Sequence, residues 1–84
     1  MAEPIAVMIV DDHPVFRQGL RNILAAREGL QVVGEAADGE TAVERADALR
    51  PDVVIMDINL PTMNGLQATR ELRDRCPEAR VIML

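Results

Sequence analysis

Two short, mostly β-branched runs, each closed by aspartate, constrain this chain more than any other feature. Ala6-Val7-Met8-Ile9-Val10 stops at Asp11-Asp12, and Val53-Val54-Ile55-Met56 stops at Asp57. Apolar runs this short, without polar alternation, read as strands buried on both faces, as in parallel sheets. Laid side by side and pointing the same way, they bring three carboxylates to one place. In open α/β sheets ligands bind at the carboxyl ends of the strands, where the strand order reverses. Three carboxylates held together repel unless a cation sits among them. The arrangement predicts a divalent cation and, next to it, an aspartate with unusual chemistry.

The rest of the chain alternates strand and helix. A first strand over about residues 6–10 leads to a helix from Pro14 to about Arg27, since proline suits the first helical turn. Val15, Phe16, Leu20, Ile23 and Leu24 form its apolar stripe, and Gly29 is expected to end it. A second strand over about 31–35 precedes the turn Asp38-Gly39-Glu40. Asp38 is a candidate cap for a helix to about Leu49 that buries Ala42, Val43, Ala46 and Leu49. Arg50-Pro51 breaks that helix before a third strand over 52–57. A loop over 58–63 leads to a third helix, about Asn64 to Arg75, with Leu66, Thr69 and Leu72 expected on its inner face. Cys76-Pro77 stops it, and residues 80–84 read as a fourth strand. The order βαβαβαβ predicts a parallel α/β sheet with helices on both faces. A fourth strand running unprotected to Leu84 would be an exposed sheet edge, so the chain is expected to be the front part of a larger domain and prone to self-association through that edge.

Composition narrows the function. The 84 residues carry a net charge of −5, which argues against a phosphate-gripping nucleic-acid surface in this chain itself. All nine basic residues are arginines; there is no lysine and no serine. A P-loop nucleotide site, which needs a lysine, is therefore excluded. One cysteine, Cys76, excludes an internal disulfide and fits a reducing compartment. No run approaches a membrane span or a secretory signal, so a cytoplasmic location without membrane contact is expected.

At this point the sequence resembles the receiver domain of bacterial two-component response regulators. The resemblance rests on Met8-Ile9-Val10-Asp11-Asp12-His13-Pro14, on Asp57-Ile58-Asn59-Leu60-Pro61-Thr62-Met63-Asn64-Gly65, which fits the D-x-x-L-P-x-x-x-G pattern, and on Asp38-Gly39 before a helix. The run from Asp11 to Leu20 is further similar to receivers attached to LuxR-type helix-turn-helix output domains. The resemblance implies a flavodoxin-like sheet in the order 2-1-3-4, truncated after strand 4, so that residues 1–84 form an incomplete receiver lacking strand 5 and helices 4 and 5. It implies Asp57 as the phosphoacceptor for a sensor histidine kinase. It further implies Mg²⁺ held by Asp12 and Asp57, by the backbone carbonyl of Asn59, and by Asp11 through a water. DNA would be reached only through an output domain outside this chain, which would not be a dedicated enzyme. The family also places a hydroxyl residue after strand 4 and a lysine at the end of strand 5. Neither is within these 84 residues.

Plainer readings stand beside these. Asp11-Asp12 alone fits an acidic helix start, and Asp57 alone a turn residue. His13 reads as solvated or capping rather than as a metal ligand, and Met8, Met56 and Met83 as core filler. Gly65 reads either as a helix-start glycine or as a point of close backbone approach. Two other functions compete. One is an Mg²⁺-dependent aspartyl-phosphate hydrolase, although such enzymes place a second acid two residues after the nucleophile, where this chain has Asn59. The other is a phosphorylation-incompetent fragment that acts only in self-association.

Overall fold

Seven elements alternate along the chain in a computed structural model that describes residues 3–61 and 63–84. They are β1 (Ile5–Val10), α1 (Pro14–Ala25), β2 (Leu30–Ala36), α2 (Gly39–Leu49), β3 (Val53–Met56), α3 (Gly65–Arg75) and β4 (Arg80–Met83). Thr62, part of the expected loop and of the motif that follows Asp57, lies outside the described residues. The strands form one parallel sheet in the order β2-β1-β3-β4.

The apolar runs do what their composition dictates. Side chains alternate across a strand, so Met8 and Val10 of β1 and Val54 and Met56 of β3 share one face. They pack there against Ala42, Val43 and Ala46 of α2 and Ala68 and Leu72 of α3. Val7 and Ile9, equally buried, point to the other face. α1 lies over that face, packed mainly on β2 and then on β1. Burying a side chain the size of Met8 or Leu72 contributes about 1.5–3 kcal/mol. The central pair β1–β3 therefore holds the fold from both sides.

Several local expectations need correction. The stripe on α1 buries nothing completely: Val15 is 85% exposed, Phe16 and Ile23 are also exposed, and Leu20 and Leu24 are half-buried. A helix seated chiefly over the outer pair β2–β1 covers only part of its apolar side. That helix also ends at Ala25 with Ala26 as a right-handed cap. Gly29, in the left-handed region at φ 83°, instead turns the chain into β2, where its carbonyl accepts from Ile5 N–H at 2.7 Å. Leu49 stays exposed, its Cδ1 crossing β2 where a Cβ on Gly34 would meet it at 2.6 Å. Here β2 carries one extra residue relative to β1, between the partners of Val7 and Met8.

On α3, Leu66 faces solvent while Gly65, Ala68 and Leu72 are buried, and Thr69 is half-buried with its hydroxyl on the Gly65 carbonyl at 2.7 Å. Once Gly65 is docked against the sheet, residues three and seven further on share its face, and Leu66 is rotated about 100° away.

The helix starts follow their capping chemistry. Asp38 accepts from Thr41 N–H at 2.7 Å and from the Thr41 hydroxyl at 3.0 Å. Asn64 and Gln67 form a reciprocal capping box. The Thr41 bonds, first through its N–H, hold the Asp38 carboxyl below its usual range. A lowered carboxyl contributes stability at neutral pH that is lost as pH falls through its folded-state value. Asp38→Ala is expected to cost about 1 kcal/mol at neutral pH. Asp38→Asn should keep most of the cap and flatten the acid limb of the stability curve. Chemical denaturation at pH 7 and at pH 3 measures both.

Candidate metal centre

The three acids meet because of the register between β1 and β3. Val7 pairs with Val53 and Val10 with Met56, so both strands run out of ladder together. Asp57 N–H still donates to Val10 C=O at 2.9 Å, and Asp11 N–H to Ala36 C=O at 3.0 Å. Asp11 and Asp57 thus leave the sheet side by side, with Asp12 one residue beyond. One ligand atom each from Asp11, Asp12, Asp57 and His13 lies within 4.8 Å of all the others.

Each acid is held differently. Asp11 is 6% exposed. Its Oδ1 accepts from His13 N–H at 2.8 Å and lies 2.8 Å from His13 Nδ1. Its backbone carbonyl accepts from Arg17 Nη1 at 2.6 Å. Asp12 is more open, and its Oδ1 lies 3.0 Å from the same imidazole nitrogen. Asp57 is half-buried, and its Oδ1 accepts from Asn59 N–H at 3.0 Å, a local turn that orients the carboxylate. The family resemblance implies a metal role for the Asn59 carbonyl, and the Asn59 N–H makes a separate contact with Asp57.

Gly65 closes the floor. Its N–H donates to Ile58 C=O at 3.0 Å. A Cβ placed on it would lie 2.6 Å from the Asp57 carbonyl oxygen and 2.9 Å from Ile58 Cα. Of the two readings of Gly65, close backbone approach is the one observed, at the very start of α3.

The charge balance fits a divalent ion. The nearest guanidinium, Arg17, spends itself on the Asp11 carbonyl and on Glu35 at 3.3 Å, where Arg21 joins it at 2.8 Å. Among the described residues, the basic side chain within ion-pairing distance of Asp11 and Asp12 is the His13 imidazole, and Asp57 has no such partner. Three carboxylates without a fixed cation, offering oxygen donors at one point, match the needs of Mg²⁺, a hard ion that takes oxygen ligands and retains waters.

His13 is solvated at the start of α1, one of the two readings its sequence allows. It makes no side-chain cap bond to α1, although it occupies the N-cap position with extended φ and ψ of −98° and 105°. That conformation turns its ring back onto the acids while the side chain stays 70% exposed. The hydrogen bond to Asp11 raises the His13 pKa first, followed by the charges of Asp12, Asp11 and Asp57. A raised value means the protonated ring is favoured in the folded state. Its contribution is complete below the ordinary value and fades as pH rises through the raised one. Asp11→Asn should lower the His13 pKa more than Asp57→Asn does, an order that NMR titration of this single histidine reads directly.

The sequence profile of the response regulator receiver domain matches residues 7–84. The chain is 46% identical over 80 residues to the transcriptional regulatory protein DegU of Brevibacillus brevis, covering 95% of this chain and 34% of that protein. It superposes on a two-component response regulator of the LuxR family from Aurantimonas sp. SI85-9A1 with a TM-score of 0.90 at 40% identity, over 96% of this chain and 58% of that one. The CheX-CheY-BeF3-Mg²⁺ complex of Borrelia burgdorferi matches with a TM-score of 0.89 at 35% identity, over 96% of this chain and 61% of that one. The chain spans 34–38% of the length of the curated relatives it matches. Among the described residues no helix is long and apolar enough to cross a membrane.

Proposed function

This chain belongs to the response regulator receiver domain family, and from that premise we propose that it is a phosphoacceptor switch modified on Asp57. The donor is a sensor histidine kinase, and the output is transcriptional control through a DNA-binding domain outside these 84 residues. The cell compartment is the cytoplasm. The strongest support is the convergence of Asp11, Asp12 and Asp57 at the adjacent ends of β1 and β3, where, among the described residues, no guanidinium pairs with their side chains. The relative that forms a complex with BeF3 and Mg²⁺ supports assigning phosphoryl chemistry and magnesium to the same place.

In this reading Asp12 and Asp57 would hold Mg²⁺ through carboxylate oxygens, Asn59 through its carbonyl and Asp11 through a water. An ion held there would supply the positive charge that offsets the repulsion between the acids and the incoming phosphoryl oxygens. Asp57 acts as the nucleophile. One carboxylate oxygen bonds to phosphorus while the bond from phosphorus to the donor's imidazole nitrogen breaks, and that nitrogen keeps the electron pair. The product is an acyl phosphate on Asp57. The Asn59 N–H, on Oδ1 at 3.0 Å, restricts rotation of the carboxylate so that one oxygen is presented outward. Buried Asp11, tied to the His13 N–H, keeps its position while the more open Asp12 adjusts to the ion. Hydrolysis of the acyl phosphate returns Asp57, making the chain a reversible acceptor rather than a dedicated enzyme.

The test is incubation with a small acyl phosphate donor and Mg²⁺, followed by intact mass measurement. One phosphoryl group per chain, absent when the metal is chelated, is the expected result. Sustained release of phosphate over many turnovers would instead favour the aspartyl-phosphate hydrolase, and no labelling at all would reject both.

A further inference from the structure

We propose that Arg17 is a positioning residue for the acid site, its guanidinium fixing the peptide that joins Asp11 to Asp12. The inference rests on the reading that Asp11, Asp12 and Asp57 hold Mg²⁺. The sheet holds the backbone of these acids on the β1 side only as far as Asp11 N–H, which donates to Ala36 C=O at 3.0 Å. The Asp11 carbonyl lies beyond that bond. A turn closing on it from three residues further would need a donor at Pro14, which has no N–H. Arg17 supplies the donor from one turn into α1, with Nη1 2.6 Å from the Asp11 carbonyl oxygen. The Arg17 N–H also donates to the His13 carbonyl at 3.0 Å, so one residue pins the β1–α1 turn at both ends.

The guanidinium is itself braced. Its Nε donates to Glu35 Oε1 at 3.3 Å, and Arg21, on the same face of α1, meets the other Glu35 oxygen at 2.8 Å. The Arg17 side chain is mostly buried, so a planar fork with two fixed partners has little freedom to turn. Glu35 also neutralises the charge of Arg17, which keeps the guanidinium off the carboxylates and leaves that place to a cation. Asp12 depends most on this brace. Its open side chain can rotate toward an ion, whereas its Cα is set by the peptide plane that Arg17 holds. Arg17→Lys keeps the charge but not the fork that spans a carbonyl and a carboxylate together. Losing a partner that orients a metal ligand typically costs roughly 10–100-fold in metal affinity.

The experiment uses the full 84-residue chain and Mg²⁺ itself. Calorimetric titrations, run where melts show each chain folded, compare wild type with Arg17→Lys, Arg17→Met, Glu35→Gln and Arg21→Gln. Expected is a loss of roughly tenfold or more in Mg²⁺ affinity for both Arg17 variants, and a smaller loss for Glu35→Gln. Arg21→Gln removes an ion pair to the same glutamate without touching Asp11, and should bind Mg²⁺ like wild type. Labelling of Asp57 by a small acyl phosphate should need correspondingly more Mg²⁺ for its half-maximal rate in the Arg17 variants, with the rate at saturating Mg²⁺ near that of wild type. Without metal, the amide nitrogen resonance of Asp12 should move in Arg17→Lys and stay in place in Arg21→Gln, since that nitrogen shares its peptide with the Asp11 carbonyl. Unchanged Mg²⁺ affinity in Arg17→Lys, or equal losses in Arg17→Met and Arg21→Gln, would overturn the proposal and leave the Mg²⁺ site standing. If neither Arg17 variant folds, Glu35→Gln decides: weaker Mg²⁺ binding than in Arg21→Gln supports the brace, and equal binding overturns it. Failure of wild type to bind Mg²⁺ would overturn both readings.

Discussion

Asp57→Asn is expected to abolish phosphoryl labelling while the fold survives. The substitution changes one oxygen to an amide nitrogen and removes one negative charge, with almost no change in volume. The remaining amide oxygen still accepts from Asn59 N–H, so the turn after β3 keeps the bond it has now. What disappears is the nucleophile, because a neutral amide oxygen does not displace a leaving group from phosphorus. One of the ion's carboxylates goes with it. Labelling should fall below detection by intact mass under conditions that modify wild type fully.

The metal-free fold should move the other way. Asp11, Asp12 and Asp57 repel one another across less than 4.8 Å, and neutralising one relieves part of that repulsion. A gain of up to about 1 kcal/mol is expected at this partly exposed site, read as a higher melting temperature without added metal. Added Mg²⁺ should then raise the melting temperature of wild type far more than that of the variant. Retained labelling in Asp57→Asn, with a different acceptor found by peptide mapping, would remove Asp57 from its role.

The second large effect comes from a residue with no side chain. Gly65→Val should destabilise the protein by about 3 kcal/mol or more, with Gly65→Ala between about 1 and 3 kcal/mol. The cause is not backbone freedom. The added Cβ would sit 2.6 Å from the Asp57 carbonyl oxygen and 2.9 Å from Ile58 Cα, both backbone atoms, as well as 2.9 Å from Met83 Cε. Only the methionine tip yields cheaply. To make room, α3 must lift from the carboxyl end of β3, which breaks the Gly65 N–H bond to Ile58 and shifts Asp57 itself. Denaturant melts measure the stability. Mg²⁺ titration separates the local effect, since a variant that loses metal affinity beyond its loss of folded population has moved the acid. An unchanged melt for Gly65→Ala would mean that the close approach is not maintained in solution.

Much of this architecture was legible in the residues themselves. The β-branched runs, the proline at the start of α1, the Asp38 cap and the Arg50-Pro51 and Cys76-Pro77 breaks mark the alternating elements without tertiary information, because each acts within a few residues of itself. Arg50 also closes α2 in the left-handed conformation, with φ 52°, and its guanidinium reaches the Arg75 carbonyl at 3.0 Å at the end of α3. The acid cluster was legible as well, since a strand's end is where its next side chain emerges.

Less legible was which side of each helix faces the sheet. Periodicity marks Leu66 and Leu72, or Leu49 and Val43, as equivalent apolar positions. Only the docking of Gly65 against β3, and the path of β2 past Leu49, decide which of them is buried.

The primary sequence determined the elements, their alternation and the residues able to carry the chemistry, because helix caps, turn breakers and apolar runs act through contacts only a few residues long. Tertiary structure alone decided that β1 and β3 pair in register, that Asp11 is buried beside an imidazole, and that one glycine is pressed against the carbonyl of Asp57. The pairing of Val7 with Val53 and of Val10 with Met56 joins residues far apart in the chain, and the burial of Asp11 and the close approach of Gly65 follow from where that sheet sets them.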